Sequence, residues 1–326
     1  MNKAAENNTD SQSQSKILKK HNYIIGLFFA ISGAALFSIR PILVKFAYQE
    51  EIDSVTLLTL RMLFSVPFYI VLLVYFLNDK SPKNQERRNN INIKLLSLTT
   101  LIGLMGYYAA SLLDLYGLLY ISAQLERLLL FTYPTLVVIF GALFFAKPIK
   151  GNIIVALLFS YGGIATIFLH DVEQFGSNII KGGIFVGLST IVFALYVLLG
   201  KEIINKIGSR MFTCIAMIAA SIGIILHFLV TNEIADLSTS NTVYLICLAI
   251  AILCTIIPSF FISEAIARIG PDKTSITGTV GPVFTTLFAV TLLGEAFTIF
   301  HAIGMILVII GVSVLGYKKP LRRPNA

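Results

Sequence analysis

The amino-acid sequence predicts an all-α integral membrane protein with ten transmembrane helices, arranged as two inverted repeats of five helices. Three observations support this prediction: the composition, a series of long apolar runs, and the distribution of lysine and arginine between those runs. Of the 326 residues, 56% are apolar and only 13% are charged, whereas a soluble domain has about a quarter charged residues. The chain has too few charges for a surface that faces water, so we expect it to lie in a lipid bilayer.

The chain begins and ends with polar segments. Residues 1–22 contain few apolar side chains and a cluster of lysines at Lys16, Lys19 and Lys20, so we predict a disordered cytoplasmic tail. A cleavable signal peptide is not expected, because the first apolar run is longer than a signal core and no small-residue cleavage site follows it. Residues 318–326 are predicted to form a short basic tail, also in the cytoplasm.

Ten apolar runs lie between the tails, each close to the length of about 20 residues that a helix needs to cross the bilayer. Each run is continuously apolar rather than alternating, and a helix satisfies its own backbone hydrogen bonds in lipid. Helices are therefore predicted rather than strands. The runs, numbered one to ten in chain order, are approximately 24–46, 54–77, 91–113, 125–146, 151–170, 182–200, 211–231, 242–264, 274–294 and 297–317.

The positive charges in the connections predict that both termini are cytoplasmic. The connections on the N-terminal side of the membrane carry 20 of the 25 lysines and arginines, and those on the other side carry 2, Lys45 and Lys181. Short cytoplasmic connections of membrane proteins are enriched in these residues. Because the basic tail has no organelle presequence, we expect the chain in a bacterial inner (plasma) membrane.

A weak internal repeat divides the chain into two halves. A shift of 148 residues aligns Tyr133-Pro134 with Gly281-Pro282. Because each half contains five runs, which is an odd number, the halves must have opposite orientations in the membrane. We assign residues 23–172 to the first repeat and residues 173–317 to the second. Inverted repeats are typical of secondary transporters, whose substrate site lies near the midplane.

Two stretches carry a resemblance to a known family. Tyr120–Phe145 (YISAQLERLLLFTYPTLVVIFGALFF) and Gly281–Glu295 (GPVFTTLFAVTLLGE), the latter followed by IGMILVIIGV, resemble the drug/metabolite transporter superfamily, EamA-type. The resemblance covers residues 23–317. It implies a bundle in which helices 1 to 4 and 6 to 9 surround a central cavity, while helices 5 and 10 pack at the back. Glu295 has no acidic counterpart in the first half, where relatives often carry one, so it is given no symmetric partner.

Charged residues inside the runs converge on the outer side of the first repeat. They are Arg40, Arg61, Asp114, Glu126 and Arg127. Because a charge at the bilayer centre costs about 2.5 kcal/mol or more, we hypothesise that they form a salt-bridged network that binds a polar substrate group or gates access. In the alternative, Arg40 and Arg127 extend to the interface and pair with the acids only to hold the fold.

Glu264, at the inner end of the eighth run, has two interpretations. The repeat sets it opposite the end of the third run, near Asp114, so the two acids could act on opposite faces during alternating access. Alternatively, Glu264 forms an ion pair with Arg268, one helical turn later.

Two prolines related by the repeat, Pro134 and Pro282, lie near the middle of their runs. Each removes a helix hydrogen bond and leaves a carbonyl one turn earlier without its donor. Broken helices at the midplane would create a polar site next to Tyr133 and Gly281, although a packing kink is the alternative. Tyrosines near the same depth could line a cavity, or could pack as core or interface residues. They are Tyr107, Tyr108, Tyr133 and Tyr196.

No catalytic residue is predicted, and the chain is not expected to be an enzyme. HExxH, GxSxG, a paired intramembrane aspartate and a Cys/His arrangement are all missing from the sequence, and its loops are too short for an active site. The three cysteines have no metal-ligand spacing. We therefore predict no metal, no cofactor and no nucleic-acid partner.

The sequence as a whole predicts a secondary active transporter, either an exporter or an exchanger. The substrate is expected to be a small polar or amphipathic metabolite such as an amino acid, moved by alternating access around a central midplane cavity. A Walker motif is missing, so a proton or solute gradient would supply the energy. A non-transporting receptor or a lipid-handling protein is the alternative. The expected partners are the substrate, the lipid bilayer and a coupling proton, and the chain is a monomer or a homodimer.

Overall fold

The computed structural model describes residues 21–145, 151–269, 274, 277–278 and 280–316. In this part of the chain, helices are joined by short connections and no strand occurs. Eight of these helices are long and apolar enough to cross a membrane, and two shorter apolar helices follow them. The C-terminal tail and almost all of the predicted N-terminal tail lie outside the described residues.

In the part of the first half that the structure describes, there are five apolar helices and one short polar helix. The polar helix, α3, was not predicted; it lies in a basic connection and has Arg87 and Arg88 in its last turn, where positive charge favours a helix end. The helices are α1 (His21–Gln49), α2 (Ser54–Asn78), α3 (Pro82–Asn89), α4 (Ile93–Leu118), α5 (Ala123–Leu130, continued by Tyr133–Phe145) and α6 (Gly151–Phe175).

Among the described residues, the second half has five apolar helices. They are α7 (Asn178–Ile207), α8 (Ser209–Thr231), α9 (Asn241–Ala251, continued through Ile252–Ile256 to Ile257–Ile269), α10 (Gly281–Leu293) and α11 (Ile299–Gly316). A short 3₁₀ turn, Ile234–Leu237, joins α8 to α9.

Several helices extend beyond the predicted runs. Lys45 lies inside α1 and Lys181 inside α7, so these two helices include residues that the sequence assigned to outer connections. The predicted boundary between the halves, after residue 172, falls just before the end of α6. Hydropathy marks only the part of a helix that matches the hydrocarbon layer, whereas the helix itself continues into the polar interface.

Side chains and glycines define where the helices begin and end. The carboxylate of Asp53 accepts hydrogen bonds from the backbone N–H groups of Val55 (2.8 Å) and Thr56 (3.0 Å) at the start of α2. These bonds satisfy donors that have no partner within the helix. At the other end of a helix, Gly294 ends α10 in the left-handed region, with φ at 67°, which only glycine adopts at little cost.

A proline occupies the second position of four helical segments, which start at Arg40, Tyr133, Ile257 and Gly281. Proline fits the first turn of a helix but has no N–H for the turn before it, so each segment starts anew at this point. The 148-residue shift aligns the first residues of the segments that start at Tyr133 and Gly281.

Two π-helical segments interrupt α4 and α9. They are Leu104–Ala109 and Ile252–Ile256, and the same 148-residue shift aligns their first residues. Wider turns of this kind occur frequently at functional sites. The π-helical segments of the two halves therefore begin at equivalent positions.

The helices α6 and α11 pack against each other through glycine. A Cβ atom on Gly163 would lie 2.5 Å from the carbonyl oxygen of Gly304, and a Cβ on Gly304 would lie 2.5 Å from the carbonyl oxygen of Gly163. Small residues allow membrane helices to approach this closely. Helices α6 and α11 correspond to predicted helices 5 and 10, which the resemblance placed at the back of the bundle. The largest apolar core lies elsewhere, among α1, α2, α4, α7, α8 and α9.

Candidate functional site

Arg40 connects two buried carboxylates that belong to different helices. Its Nη2 forms an ion pair with Oδ2 of Asp114 in α4 and lies 3.4 Å from Oε1 of Glu126 in α5. The Asp114 side chain is 2% exposed and that of Glu126 is 0% exposed. A cation beside two buried carboxylates offsets part of the cost of removing them from water. The start of the second segment of α1 is thus held to α4 and α5.

Arg127 faces the start of α10 in the second half. A Cβ atom on Gly281 would lie 3.4 Å from Nη2 of Arg127 and 3.5 Å from Oγ of Ser38. The Ser38 hydroxyl lies 2.6 Å from the carbonyl oxygen of Ala34 and 2.9 Å from that of Gly281, either of which can accept its proton. The Thr285 hydroxyl donates a hydrogen bond to the carbonyl oxygen of Ser38 (3.1 Å). The interruption of α1 is therefore bonded to the first turns of α10, with the Arg127 guanidinium beside this contact.

Arg61 is buried in α2, within electrostatic range of Arg40 and of the tyrosines at positions 69 and 107. The Nε atoms of Arg61 and Arg127 have no hydrogen-bond partner among the described residues, and neither side chain forms an ion pair there. One oxygen on each acid, Oδ1 of Asp114 and Oε2 of Glu126, also lacks a partner. With three guanidinium groups and two carboxylates, the group has both an excess of positive charge and unused hydrogen-bonding capacity.

Aromatic rings form a wall that runs from α5 through α7 to α4. The ring of Tyr133 meets Phe193 edge-on at 5.1 Å, and Phe193 stacks on Tyr196 at 5.6 Å between centroids. The hydroxyl of Tyr196 donates a hydrogen bond to the hydroxyl of Tyr107 (3.1 Å). The Tyr196 ring lies so close to Gly106 that no side chain fits there. An apolar surface with hydroxyl groups at its edge is thereby formed.

The carbonyls at the break in α5 are partly satisfied by threonine. Thr132 donates through its hydroxyl to the carbonyl oxygen of Leu129 (2.6 Å), and Thr135 donates to that of Thr132 (2.6 Å). The break before Pro134 thus has its own polar groups. Pro282 is buried in the first turn of α10, next to Gly281.

Two predicted site residues have their polar partners elsewhere. The Tyr108 hydroxyl lies 3.0 Å from Nδ1 of His227 in α8. Glu264 is 43% exposed and forms an ion pair with Arg268 at 3.1 Å. This is the second of the two interpretations that the sequence allowed for Glu264.

Glu295 has a contact that the sequence did not reveal. Its carboxylate accepts hydrogen bonds from the backbone N–H groups of Ala123 (2.7 Å) and Gln124 (3.3 Å), and therefore caps the start of α5. A carboxylate at a helix N-terminus is favoured by the helix dipole. The two partners are 172 residues apart in sequence, so no local pattern could have indicated the contact.

Cys254 is a second residue that the sequence did not single out for the site. It is buried in the π-helical segment of α9 and lies within electrostatic range of Arg40, Arg61 and Arg127. Its position within an apolar run predicted only a small buried side chain. A thiol in α9 therefore lies near the three arginines of the first half.

With its long apolar helices and buried charges, the chain is a multi-pass membrane protein. It belongs to the EamA-like transporter family, whose sequence profile matches residues 24–169 and 180–317. The resemblance to EamA-type transporters is thereby confirmed. Membership implies a small-molecule substrate and a bilayer environment.

Similar proteins extend over nearly the whole chain. The uncharacterized transporter YcbK of Bacillus subtilis (strain 168) is 27% identical over 316 residues, which cover 95% of this chain and 97% of YcbK. The uncharacterized transporter YyaM of the same organism is 24% identical over 297 residues, covering 89% and 92%. A protein of known crystal structure has the same fold, with a TM-score of 0.58, 16% identity and coverage of 91% of this chain and 96% of that chain.

Proposed function

We propose that the chain is a secondary active transporter, an exporter or exchanger, of a small polar or amphipathic metabolite such as an amino acid. The observation that carries this proposal is the buried group of three arginines and two acids. Charged residues inside a membrane protein are costly and mark substrate or ion pathways. Those with unused hydrogen-bonding groups, Arg61 and Arg127, are the candidates to bind a substrate carboxylate, which guanidinium groups do with favourable geometry.

The two buried acids are suited to bind the positively charged ammonium group of an amino acid. Glu126 and Asp114 each have an oxygen without a partner in the described part of the chain, and either could accept a hydrogen bond from a substrate ammonium group. Glu126 is also the candidate to carry a coupling proton. The aromatic wall of Tyr133, Phe193 and Tyr196 suits an apolar or aromatic side chain. An amphipathic solute would use all three features.

The equivalent irregularities of the two halves support alternating access. We take residues 23–172 and 173–317 as inverted repeats, in a protein of ten transmembrane helices with both termini in the cytoplasm of a bacterial cell. Arg127 in the first half lies beside Gly281 in the second, so a substrate held there would touch both halves. Movement of one half against the other would then change the side from which the site is reached.

Counterflow in proteoliposomes tests this proposal. The purified protein would be supplied with labelled amino acids, nucleosides, sugars and amphipathic cations, as wild type and as the Glu126→Gln variant. We expect saturable exchange of one class and its loss in the variant, because the buried carboxylate is removed. Glu264→Gln is the matched control, since this acid forms a partly exposed pair with Arg268, and it should exchange like the wild type.

Two outcomes would contradict the proposal. Equal loss in Glu126→Gln and Glu264→Gln would remove the site from the buried charge group. A well-folded protein that exchanges none of the four classes would favour the receptor or lipid-handling alternative.

A further inference from the structure

Three side chains that can bind metal meet between α6 and α11. Nδ1 of His170 lies 3.2 Å from Oδ1 of Asp171, and Nε2 of His301 lies 3.4 Å from the same oxygen. The donor atoms of the three residues are all within 4.8 Å of one another. The buried charge group described above is on α1, α2, α4 and α5, so this cluster is separate from it.

The cluster is closed to solvent on one side and open on the other. The Asp171 side chain is 2% exposed and that of His301 is 5% exposed, whereas that of His170 is 18% exposed. Buried carboxylates and imidazoles need hydrogen bonds or a metal to offset the loss of water. An ion can therefore reach the two buried groups from the side on which the partly exposed His170 lies.

The donor set and its spacing suit zinc. Two imidazole nitrogens and one carboxylate oxygen are the ligands of open zinc sites, in which a water takes the fourth position. Tetrahedral coordination with bonds of about 2.0–2.2 Å places ligand atoms about 3.3–3.6 Å apart. The separations of 3.2 and 3.4 Å from Oδ1 of Asp171 to the two nitrogens are close to this range. All three ligand atoms lie within 4.8 Å of one another, so a single ion can reach each of them after small side-chain adjustments.

Neighbouring residues hold both histidines in place. Nδ1 of His301 lies 2.8 Å from the Thr298 hydroxyl and 3.4 Å from the Thr298 backbone nitrogen. The backbone N–H of Thr298 donates to Nδ1 in this structure, so zinc on Nε2 requires the other tautomer, in which Nδ1–H donates to the Thr298 hydroxyl. Outer partners of this kind are usual for metal-binding histidines. The His170 ring stacks on Phe300 at 4.7 Å.

We propose that His170, Asp171 and His301 form a zinc site that joins α6 to α11. The ion would replace the two histidine–aspartate contacts by three bonds to one centre. It would stabilise the packing of these two helices, which glycines 163 and 304 bring into contact further along. The sequence did not predict this site, because the aspartate and the second histidine are far apart in the chain.

Zinc titration of the purified full-length protein tests the proposal. Binding of Zn²⁺ would be measured by equilibrium dialysis for the wild type and for Asp171→Asn and His301→Gln, which keep the size of each side chain. We expect the wild type to bind a single equivalent and both variants to lose it. His227→Gln is the control, because this histidine bonds to Tyr108 in another part of the bundle. It should bind like the wild type.

The Thr298→Val variant tests whether the Thr298 hydroxyl positions His301, and a partial loss of zinc affinity is the expected result. Thr298→Val keeps the shape of the side chain but removes the hydroxyl, and we expect the zinc affinity to fall about 10- to 100-fold, as is typical for outer partners of metal ligands. Unchanged zinc binding in Asp171→Asn and His301→Gln would overturn the proposal, as would a wild type that binds no zinc.

The absorption spectrum of Co²⁺ bound to the wild-type protein provides a second test, which does not depend on whether the variants fold. Co²⁺ in a four-coordinate site of nitrogen and oxygen ligands gives strong visible absorption, whereas a six-coordinate site gives only weak bands, because coordination geometry controls these transitions. We expect the strong visible bands for the wild type, displaced by Zn²⁺. Weak bands alone, or a near-ultraviolet thiolate band from the cysteines, would overturn the proposal.

Discussion

Arg40 and Arg61 are both arginines inside the helix bundle, but their surroundings differ. Arg40 lies against two buried carboxylates, whereas Nε of Arg61 has no partner in the part of the chain that the structure describes. Removal of one member of a buried ion pair leaves an uncompensated charge. Removal of an unpaired buried charge instead relieves a desolvation cost. The two arginines are therefore expected to respond to substitution in opposite directions.

Arg40→Gln is expected to lower the free energy of unfolding by about 3–5 kcal/mol, because Asp114 and Glu126 lose their counter-ion. Unfolding of the purified protein in detergent would measure the change. The control is Arg268→Gln, whose partner Glu264 is 43% exposed, and it should cost less than about 1 kcal/mol. An equal effect of both substitutions would contradict the buried network. The triple variant Arg40→Gln, Asp114→Asn and Glu126→Gln should regain most of the free energy of unfolding that Arg40→Gln loses.

Arg61→Gln is expected to keep or raise the unfolding temperature while greatly weakening substrate exchange. An unpaired cation is removed from the bundle, and with it a candidate partner for the substrate carboxylate. Thermal unfolding and counterflow with the same preparation would show the two effects separately. Unchanged exchange, or a loss of stability as large as that of Arg40→Gln, would assign Arg61 to the fold alone.

Prolines show how similar local sequences lead to different helices. Pro67 lies inside α2, which continues from Ser54 to Asn78 without a break. Pro134 instead follows an interruption, and threonine hydroxyls take up carbonyls beside it. The missing N–H is the same in both cases. Whether the helix bends or breaks depends on which neighbours can satisfy the freed groups.

Adjacent glycines of α6 provide a test of its packing against α11. A Cβ atom on Gly163 would lie 2.5 Å from the carbonyl oxygen of Gly304, whereas a Cβ on Gly162 meets no atom within 4 Å. We expect Gly163→Ala to destabilise the protein by about 1–3 kcal/mol through overpacking. Gly162→Ala should stabilise it by about 0.5–1 kcal/mol, because alanine is the better helix former. Unfolding in detergent would measure both, and similar values would contradict the close contact.

The two halves of the protein meet at Glu295. This residue follows α10 in the second half, and its carboxylate bonds to the backbone of Ala123 and Gln124 at the start of α5 in the first half. The side chain of Gln124 adds a bond of 3.2 Å to the same carboxylate. A contact between halves at one end of the bundle would have to break if the halves separate there.

Glu295→Ala is expected to increase the separation of the halves at this end. Spin labels at Tyr120 and Phe297, which are 40% and 46% exposed, would report it as a longer and broader distance distribution. Ser122→Ala is the matched control, because Ser122 caps the same helix from within its own half (3.1 Å to the nitrogen of Leu125). Each substitution removes a cap worth about 1 kcal/mol, but only the first releases a contact between halves. Identical distributions would contradict this role.

The sequence by itself determined the class of the protein and the position of most helices. Apolar length, the scarcity of charge and the basic connections are local properties, so they can be read without knowing which helices touch. The resemblance to the family and the selection of Arg40, Arg61, Asp114, Glu126 and Arg127 also came from the sequence. Expected and observed helices differ mainly at their ends, where helices continue beyond the hydrocarbon layer.

Only the tertiary structure decided which partners these residues have. Arg40 is 74 residues from Asp114 and 86 from Glu126, and Glu295 is 172 residues from Ala123. Asp171 in α6 also contacts His301 in α11, which is distant in sequence. One residue turns a helix by about 100°, so a contact depends on the rotation and depth of both helices. Packing of the whole bundle sets these quantities, and no local stretch of sequence contains them.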